Sequence, residues 1–102
     1  MTLPVLIAGA GPVGLTAALS LHQHGVPFRI IDRLPQRTRQ SRAAGITPRA
    51  MEVWERLGVL EPMLRQGVKI KGMRVTGAHG KELVRAPVEA PDSAYPFMLG
   101  LG

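Results

Sequence analysis

"VLIAGAGPVGL", Val5 to Leu15, is an apolar run that breaks into glycines at positions 9, 11 and 14. An apolar run of this length ending at glycine predicts a strand buried on both faces of a parallel sheet, here Leu3 to Ala8. Pro12 then suits the first turn of a helix, where its missing N–H leaves no bond unmade. The helix runs on through "VGLTAALSLHQHG", with Val13, Leu15, Ala17, Ala18, Leu19 and Leu21 giving a broad apolar face, and Gly25 ends it. A second short strand, "PFRIID", follows from Pro27 to Asp32 and carries a carboxylate at its end. Residues 1–32 therefore read as β-α-β, the compact unit of right-handed parallel pairing.

Each glycine has a physical task in such a turn. Gly9 permits the tight exit from the strand, Gly11 lets backbone N–H groups approach a pyrophosphate, and Gly14 lets the helix pack closely. The helix N-terminus adds unpaired donors and the positive end of its dipole. Asp32, 18 positions beyond Gly14, is placed to accept hydroxyl protons from an adenosine ribose. Spacing and context point to an adenine dinucleotide and leave FAD and NAD(P) both open. Arg33 beside Asp32 is compatible with a 2′-phosphate.

The first 28 residues contain no Lys, Arg, Asp or Glu, which raises export or membrane insertion as alternatives. A signal peptide needs positive charge ahead of its apolar core, and none is present. A membrane helix needs about 20 apolar residues with few breakers, whereas Pro4, Gly9, Gly11, Pro12 and Gly14 interrupt this run. A soluble, cytoplasmic protein is expected. The absence of cysteine fits a reducing compartment and excludes a disulfide framework.

The 102-residue chain carries a net charge of +6, with 45% hydrophobic, 20% charged and 4% aromatic residues, the profile of one globular domain at most. Five of its 13 basic residues, Arg33, Arg37, Arg39, Arg42 and Arg49, fall in one 17-residue stretch. That stretch has no interleaved aromatics for stacking bases and no helix-turn-helix or zinc-finger spacing, which argues against nucleic acid. A basic nucleotide- or nucleic-acid-binding module stays as the non-enzyme alternative.

After the Arg-rich loop, Thr47 and Pro48 supply an N-cap and a first-turn proline for a further helix. Ala50, Met51, Trp54 and Leu57 form its apolar face, which assigns Met51 and Trp54 to the core. Gly58 ends it, and Pro62 to Gln66 adds a short helical turn. "VKIKGMRVT" alternates, with Gly72 as the expected bulge, and "GAHG" turns the chain into "KELVR" to make an antiparallel hairpin. "APVEAPDSAYP" is loop, and "FMLGLG" starts another strand. The hairpin and this last strand have no evident partners, so exposed edges are expected. The segments are thus 1–32 as dinucleotide unit, 33–67 as Arg-rich loop and helix, and 68–102 as hairpin and beginning strand. His22 and His24 lie two apart on a helix and His79 in a turn, so no metal site and no catalytic base is assigned.

Four stretches, "VLIAGAGPVGLTAALSL", "IIDRLP", "SRAAGITPRAMEVWERLGV" and "AYPFMLGL", make the chain similar to the FAD-dependent aromatic hydroxylases from Leu3 to Gly102. These are single-component flavoprotein monooxygenases, among them p-hydroxybenzoate and phenol hydroxylases. The third stretch most resembles the branch acting on phenols and polyketide-derived rings. The resemblance implies an α/β, Rossmann-like FAD-binding domain, present here in its N-terminal part and inactive alone. It implies that Gly9, Gly11, Pro12, Val13 and Gly14 line the pyrophosphate, that Asp32 holds the ribose, and that Arg33 lies beside the adenosine. Arg42 would reach the cofactor from the loop after the second strand, and Ala43, Ala44, Gly45 and Ile46 would pass near the flavin ring. It further implies NAD(P)H as reductant, dioxygen and a small aromatic substrate as partners, and hydroxyl transfer from a flavin C4a-hydroperoxide. Another Rossmann flavoprotein or an NAD(P)-dependent oxidoreductase is the enzyme alternative.

Overall fold

The computed structural model describes residues 3–40 and 45–101 and divides into two units, Met1–Gln40 and Ser41–Gly102. In the first unit, β1 (Val5–Ala8) lies parallel to β2 (Phe28–Ile31), in a register that pairs Val5 with Phe28 and Ile7 with Ile30. The ladder continues past both ends, from the Val5 amide to the Pro27 carbonyl at 3.0 Å and from the Gly9 amide to the Ile31 carbonyl at 2.7 Å. Helix α1 (Pro12–Gln23) makes the connection. It closes at His24, and Gly25 then takes a φ of 67°, a left-handed conformation that costs glycine little.

Burial in this unit differs from the sequence expectation. Ala18 is its sole buried residue among those described, while Leu6 is 61% exposed and Val13 85% exposed. The sheet geometry gives the reason. Ile7 faces α1, because a Cβ built on Gly14 comes within 3.3 Å of its Cγ2. Side chains alternate along a strand, so Leu6 and Ala8, with their register partners Arg29 and Ile31, occupy the opposite face. A strand of a parallel sheet is apolar on both sides because both are normally covered. Here α1 covers one.

In the second unit Ile46 leads into a helix, α2 (Pro48–Arg56), whose N-cap Thr47 accepts a hydrogen bond from the Ala50 amide at its Oγ1, 3.3 Å away. Arg49 pairs with Glu52 at 3.2 Å on the solvent side. Helix α3 (Leu60–Gln66) begins two residues earlier than the Pro62 start read from the sequence. Then come β3 (Val68–Ile70), β4 (Gly72–Thr76), β5 (Glu82–Pro87) and β6 (Met98–Gly100), with a short 3-10 turn at Ala78–Gly80.

The alternating stretch 68–76 is not one hairpin strand. It splits at Lys71, and its halves belong to different two-stranded sheets: β3 pairs with β6, and β4 with β5, both antiparallel. The final strand therefore has a partner, which corrects the expectation of an unpaired edge. The bulge falls between Val75 and Thr76 instead of at Gly72. Gly72 serves a different need, since a Cβ there would approach the Ala86 carbonyl oxygen to 2.9 Å, so its absence lets the two backbones close up.

Met51, Leu60, Phe97 and Leu99 form the core of this unit, bordered by Ile46, Trp54, Met63, Leu64, Tyr95 and Leu101. Tyr95 meets Phe97 edge-on at 6.2 Å, and Lys69 Nζ lies 4.9 Å from the centre of the Phe97 ring. The Tyr95 hydroxyl donates to Glu55. Its pKa is raised, first by burial and then by that carboxylate.

Leu99→Ala tests the core. Leu99 is fully buried, so truncation should lower stability by about 2–5 kcal/mol in denaturant unfolding. Leu83→Ala, at a side chain 61% exposed on the ribbon, should change it by less than about 0.5 kcal/mol.

Candidate functional site

Three glycines shape the turn between β1 and α1, each in a different way. Gly9 has a φ of 114°, where a side chain is strained. Gly11 is the N-cap of α1 with an extended backbone, and a Cβ built on it meets nothing within 4 Å. Gly14 has no room for a Cβ, which would overlap the Gly9 carbonyl oxygen. One glycine thus turns the chain, one opens a space above the helix end, and one lets the helix seat against the turn.

The helix end beneath that space is left positive. No side chain caps α1, its first turn holds no acidic residue, and Pro12 stands at its start. The first N–H groups of a helix have no intrahelical acceptor, and the summed peptide dipoles favour an anion there. Val13, in the same turn, is exposed to solvent.

Asp32 is tied to this turn. Its Oδ2 accepts a hydrogen bond from the Ala10 amide at 2.8 Å, and its Oδ1 one from the Leu34 amide, also at 2.8 Å. The first bond spans 22 residues and joins the end of β2 to the middle of the glycine turn. These bonds, the one from Ala10 foremost, hold the Asp32 carboxyl below its ordinary value of 3.8, and the Arg33 charge adds to them. A carboxylate oxygen has a second lone pair, so each can still accept a hydroxyl proton from a ligand. Open space at Gly11, a helix end without a counter-charge and a fixed, ionised carboxylate together fit the pyrophosphate and ribose of an adenine dinucleotide.

Gly45 and Ile46 belong to the second unit. Ile46 bridges to Leu99 of β6 by two backbone hydrogen bonds, 2.8 Å from its amide and 2.9 Å to its carbonyl. Gly45 lies under Met98, whose Cε is 2.8 Å from where a Cβ would stand. Arg42, Ala43 and Ala44 fall outside the described residues. Two contacts were absent from the sequence reading: the hydrogen bond made by the Ala10 amide, and the pairing of Ile46 with Leu99. Any residue in the middle of GxGxxG has that amide, so side-chain identity carried no signal for Ala10. The apolar "FML" run gave one for the strand, without its partner.

A family model described as an FAD binding domain matches residues 2–101. The chain belongs to this family. As an FAD-binding domain it takes FAD as its cofactor, and its α/β architecture is Rossmann-like. A flavin-dependent monooxygenase of Mycobacteroides abscessus is 36% identical over 97 residues, 95% of this chain and 20% of its own length. The pentachlorophenol 4-monooxygenase of Sphingobium chlorophenolicum is 43% identical over 94 residues, 92% of this chain and 18% of its own. The chain thus spans about a fifth of the length of these relatives. Among solved structures, the p-nitrophenol 4-monooxygenase PnpA of Pseudomonas putida DLL-E4 aligns with a TM-score of 0.84 at 28% identity, over 96% of this chain and 25% of that one. The flavin-dependent monooxygenase PieE, solved with FAD and substrate, aligns with a TM-score of 0.74 at 28% identity, over 99% of this chain and 20% of its own. Among the described residues no helix is long and apolar enough to cross a membrane.

Two predictions separate the elements of the glycine turn. Gly14→Ala should lower the melting temperature of the ligand-free protein, because the new methyl overlaps the Gly9 carbonyl, whereas Gly11→Ala should leave it nearly unchanged and weaken ADP binding instead. Thermal melts and ADP titrations of both variants check this. The second concerns pH. Because the folded-state pKa of Asp32 is lowered, its contribution to stability is present above the ordinary value of 3.8 and disappears as pH falls through the lower folded value. The Ala10 and Leu34 amide resonances should shift together over that acid interval, and Asp32→Asn should abolish the shift.

Proposed function

We propose that these residues form the ADP-binding front of an NAD(P)H-dependent flavin monooxygenase that hydroxylates phenolic or polyketide-derived aromatic rings. The observation that carries the nucleotide part is the Asp32 carboxylate, held by Ala10 beside an uncapped helix end. The reaction class rests on the relatives, whose names include pentachlorophenol and p-nitrophenol 4-monooxygenases.

In this reading the chain binds and orients. The α1 N-terminus and the Gly9–Gly14 turn hold the pyrophosphate, with Pro12 and Val13 lining it. Asp32 accepts the ribose hydroxyl protons while its backbone bonds keep the carboxylate ionised and in place. Arg33, next to Asp32, lies along the adenosine. Flavin held here would supply the redox chemistry of the reaction, with NAD(P)H as reductant and dioxygen giving one oxygen atom to the ring and the other to water. No residue among these is assigned a proton-transfer step. A cytoplasmic setting, where NAD(P)H is available, goes with this function.

Titration of the chain with FAD, ADP and NADP⁺, followed by calorimetry and flavin fluorescence, tests the reading. FAD and ADP should bind, and NADP⁺ should bind more weakly because its 2′-phosphate meets the Asp32 charge. Asp32→Ala should weaken FAD and ADP alike, by roughly 10- to 100-fold, the worth of charge-assisted hydrogen bonds at about 1.5–3 kcal/mol. Unchanged affinity in Asp32→Ala would remove the ribose role.

A further inference from the structure

We infer that the β4–β5 ribbon carries a site for a small phosphate monoester, formed by Arg74 and Arg85 with Lys71 at its end. The second unit alone carries this site, independently of the nucleotide turn. Arg74 and Arg85 are register partners, so their side chains leave the same face of the ribbon from directly opposite positions. Such partners stand about 5 Å apart at Cβ, and like charges there work against the pairing of the strands. Gly72 and Pro87 form the next pair on that face, and Gly72 contributes no side chain. Lys71, Gly72, Arg74, Arg85 and Pro87 line an open cleft of about 370 Å³.

The charges of the ribbon are not balanced within it. Residues 71–88 hold four cations, Lys71, Arg74, Lys81 and Arg85, against one carboxylate, Glu82. Arg85 takes that carboxylate, its Nε and Nη2 donating to the two oxygens at 2.8 and 3.1 Å. Its Nη1 remains for another acceptor. The Arg74 side chain has no hydrogen-bond or ion-pair partner among the described residues. Both arginines are exposed, Arg85 at 67% of its side chain. An anion between the two guanidinium groups would relieve a repulsion that the ribbon itself leaves uncompensated.

Phosphate is the anion that this arrangement suits. A carboxylate offers two oxygens in one plane and is satisfied by one guanidinium fork, as Glu82 is by Arg85. A phosphate monoester presents three terminal oxygens, enough to accept from two forks on opposite strands. The Lys71 ammonium adds a point charge without directional demand. Bare backbone at Gly72 leaves room for the ester group. Residues 71–88 include no Phe, Tyr or Trp on which a base could stack, which favours a small phosphate ester over a nucleic acid.

Two-dimensional NMR titrations of the chain at constant ionic strength, with inorganic phosphate, glycerol 3-phosphate and acetate, test the site. Both phosphates should shift the Gly72 and Ala86 amides and the Arg74 and Arg85 Nε–H signals, and acetate should bind more weakly. Arg74→Gln should weaken glycerol 3-phosphate by about tenfold, the worth of a charge-assisted hydrogen bond, with Arg74→Lys in between. Lys81→Gln removes the same charge outside the cleft and should change the affinity by less than about twofold. Glu82→Gln, which releases the Arg85 fork, should tighten binding. The ligand-free Arg74→Gln protein should melt at or above the temperature of the parent, because the like-charge pair is gone. Equal losses in Arg74→Gln and Lys81→Gln would reduce the site to a diffuse field and overturn it. So would acetate binding as tightly as phosphate, or phosphate shifts confined to the Gly9–Gly14 turn. Arg74-dependent binding of a single-stranded oligonucleotide without binding of glycerol 3-phosphate would overturn the choice of ligand.

Discussion

The hydrogen bond from the Ala10 amide to Asp32 closes a loop through the first unit that backbone pairing alone leaves open. β1 and β2 are joined along their length by the parallel ladder, and the chain leaves β1 through a turn in which Ala10 is flanked by glycines on both sides. A turn of that kind is permissive, and its amides point wherever the backbone drifts. Asp32 anchors its middle from across the sheet, and the Leu34 amide holds the other oxygen, so the carboxylate is fixed by two points. The turn geometry and the carboxylate position therefore depend on each other. A ligand that touches both meets a preformed pair of contacts, and less of its binding energy goes into ordering the turn.

Leu99 plays a comparable part in the second unit. Its side chain fills the centre of the cluster with Met51, Leu60 and Phe97, while its backbone pairs with Lys69 on one side and bridges to Ile46 on the other. Side-chain burial and strand pairing thus converge on one residue. This brings the segment entering α2 under the control of a strand more than 50 residues later in the chain. The Thr47 cap then sets the start of the helix one residue after the bridge.

How much of this was legible follows from what a sequence pattern can carry. The β-α-β unit was readable because strand, glycine spacing, Pro12 and Asp32 each make the same local demand, and local demands leave local marks. Thr47 and Pro48 marked the start of α2 for the same reason. The split of residues 68–76 between two sheets was not readable. Alternation reports that a segment is extended with two unlike faces, and it says nothing of which strand lies beside it. Lys71 is one more residue in an alternating run until β6 arrives to claim Val68–Ile70. Gly72 invited a bulge assignment because glycine within a strand has several uses, and the close approach of Ala86 is decided by a partner that the local sequence does not contain. The Asp32 bond to Ala10 was invisible in a different way, since its donor is a backbone amide common to every residue but proline.

The same reasoning bears on the apolar opening of the chain. The lack of charge before Arg29 suits a strand covered on both faces of a sheet, and the structure gives partial cover on one. Residues of opposite pleat faces are recorded in the sequence alike, whether or not anything covers them. Ile7 meets the helix, and Leu6, one position earlier and of equal hydrophobicity, faces away from it. Composition therefore measures what a strand is suited to, whereas burial measures what has been placed against it. In this unit the gap is widest on the face bearing Leu6, Ala8 and Ile31, and it narrows on the other at Ile7, where Gly14 lets α1 come down onto the strand.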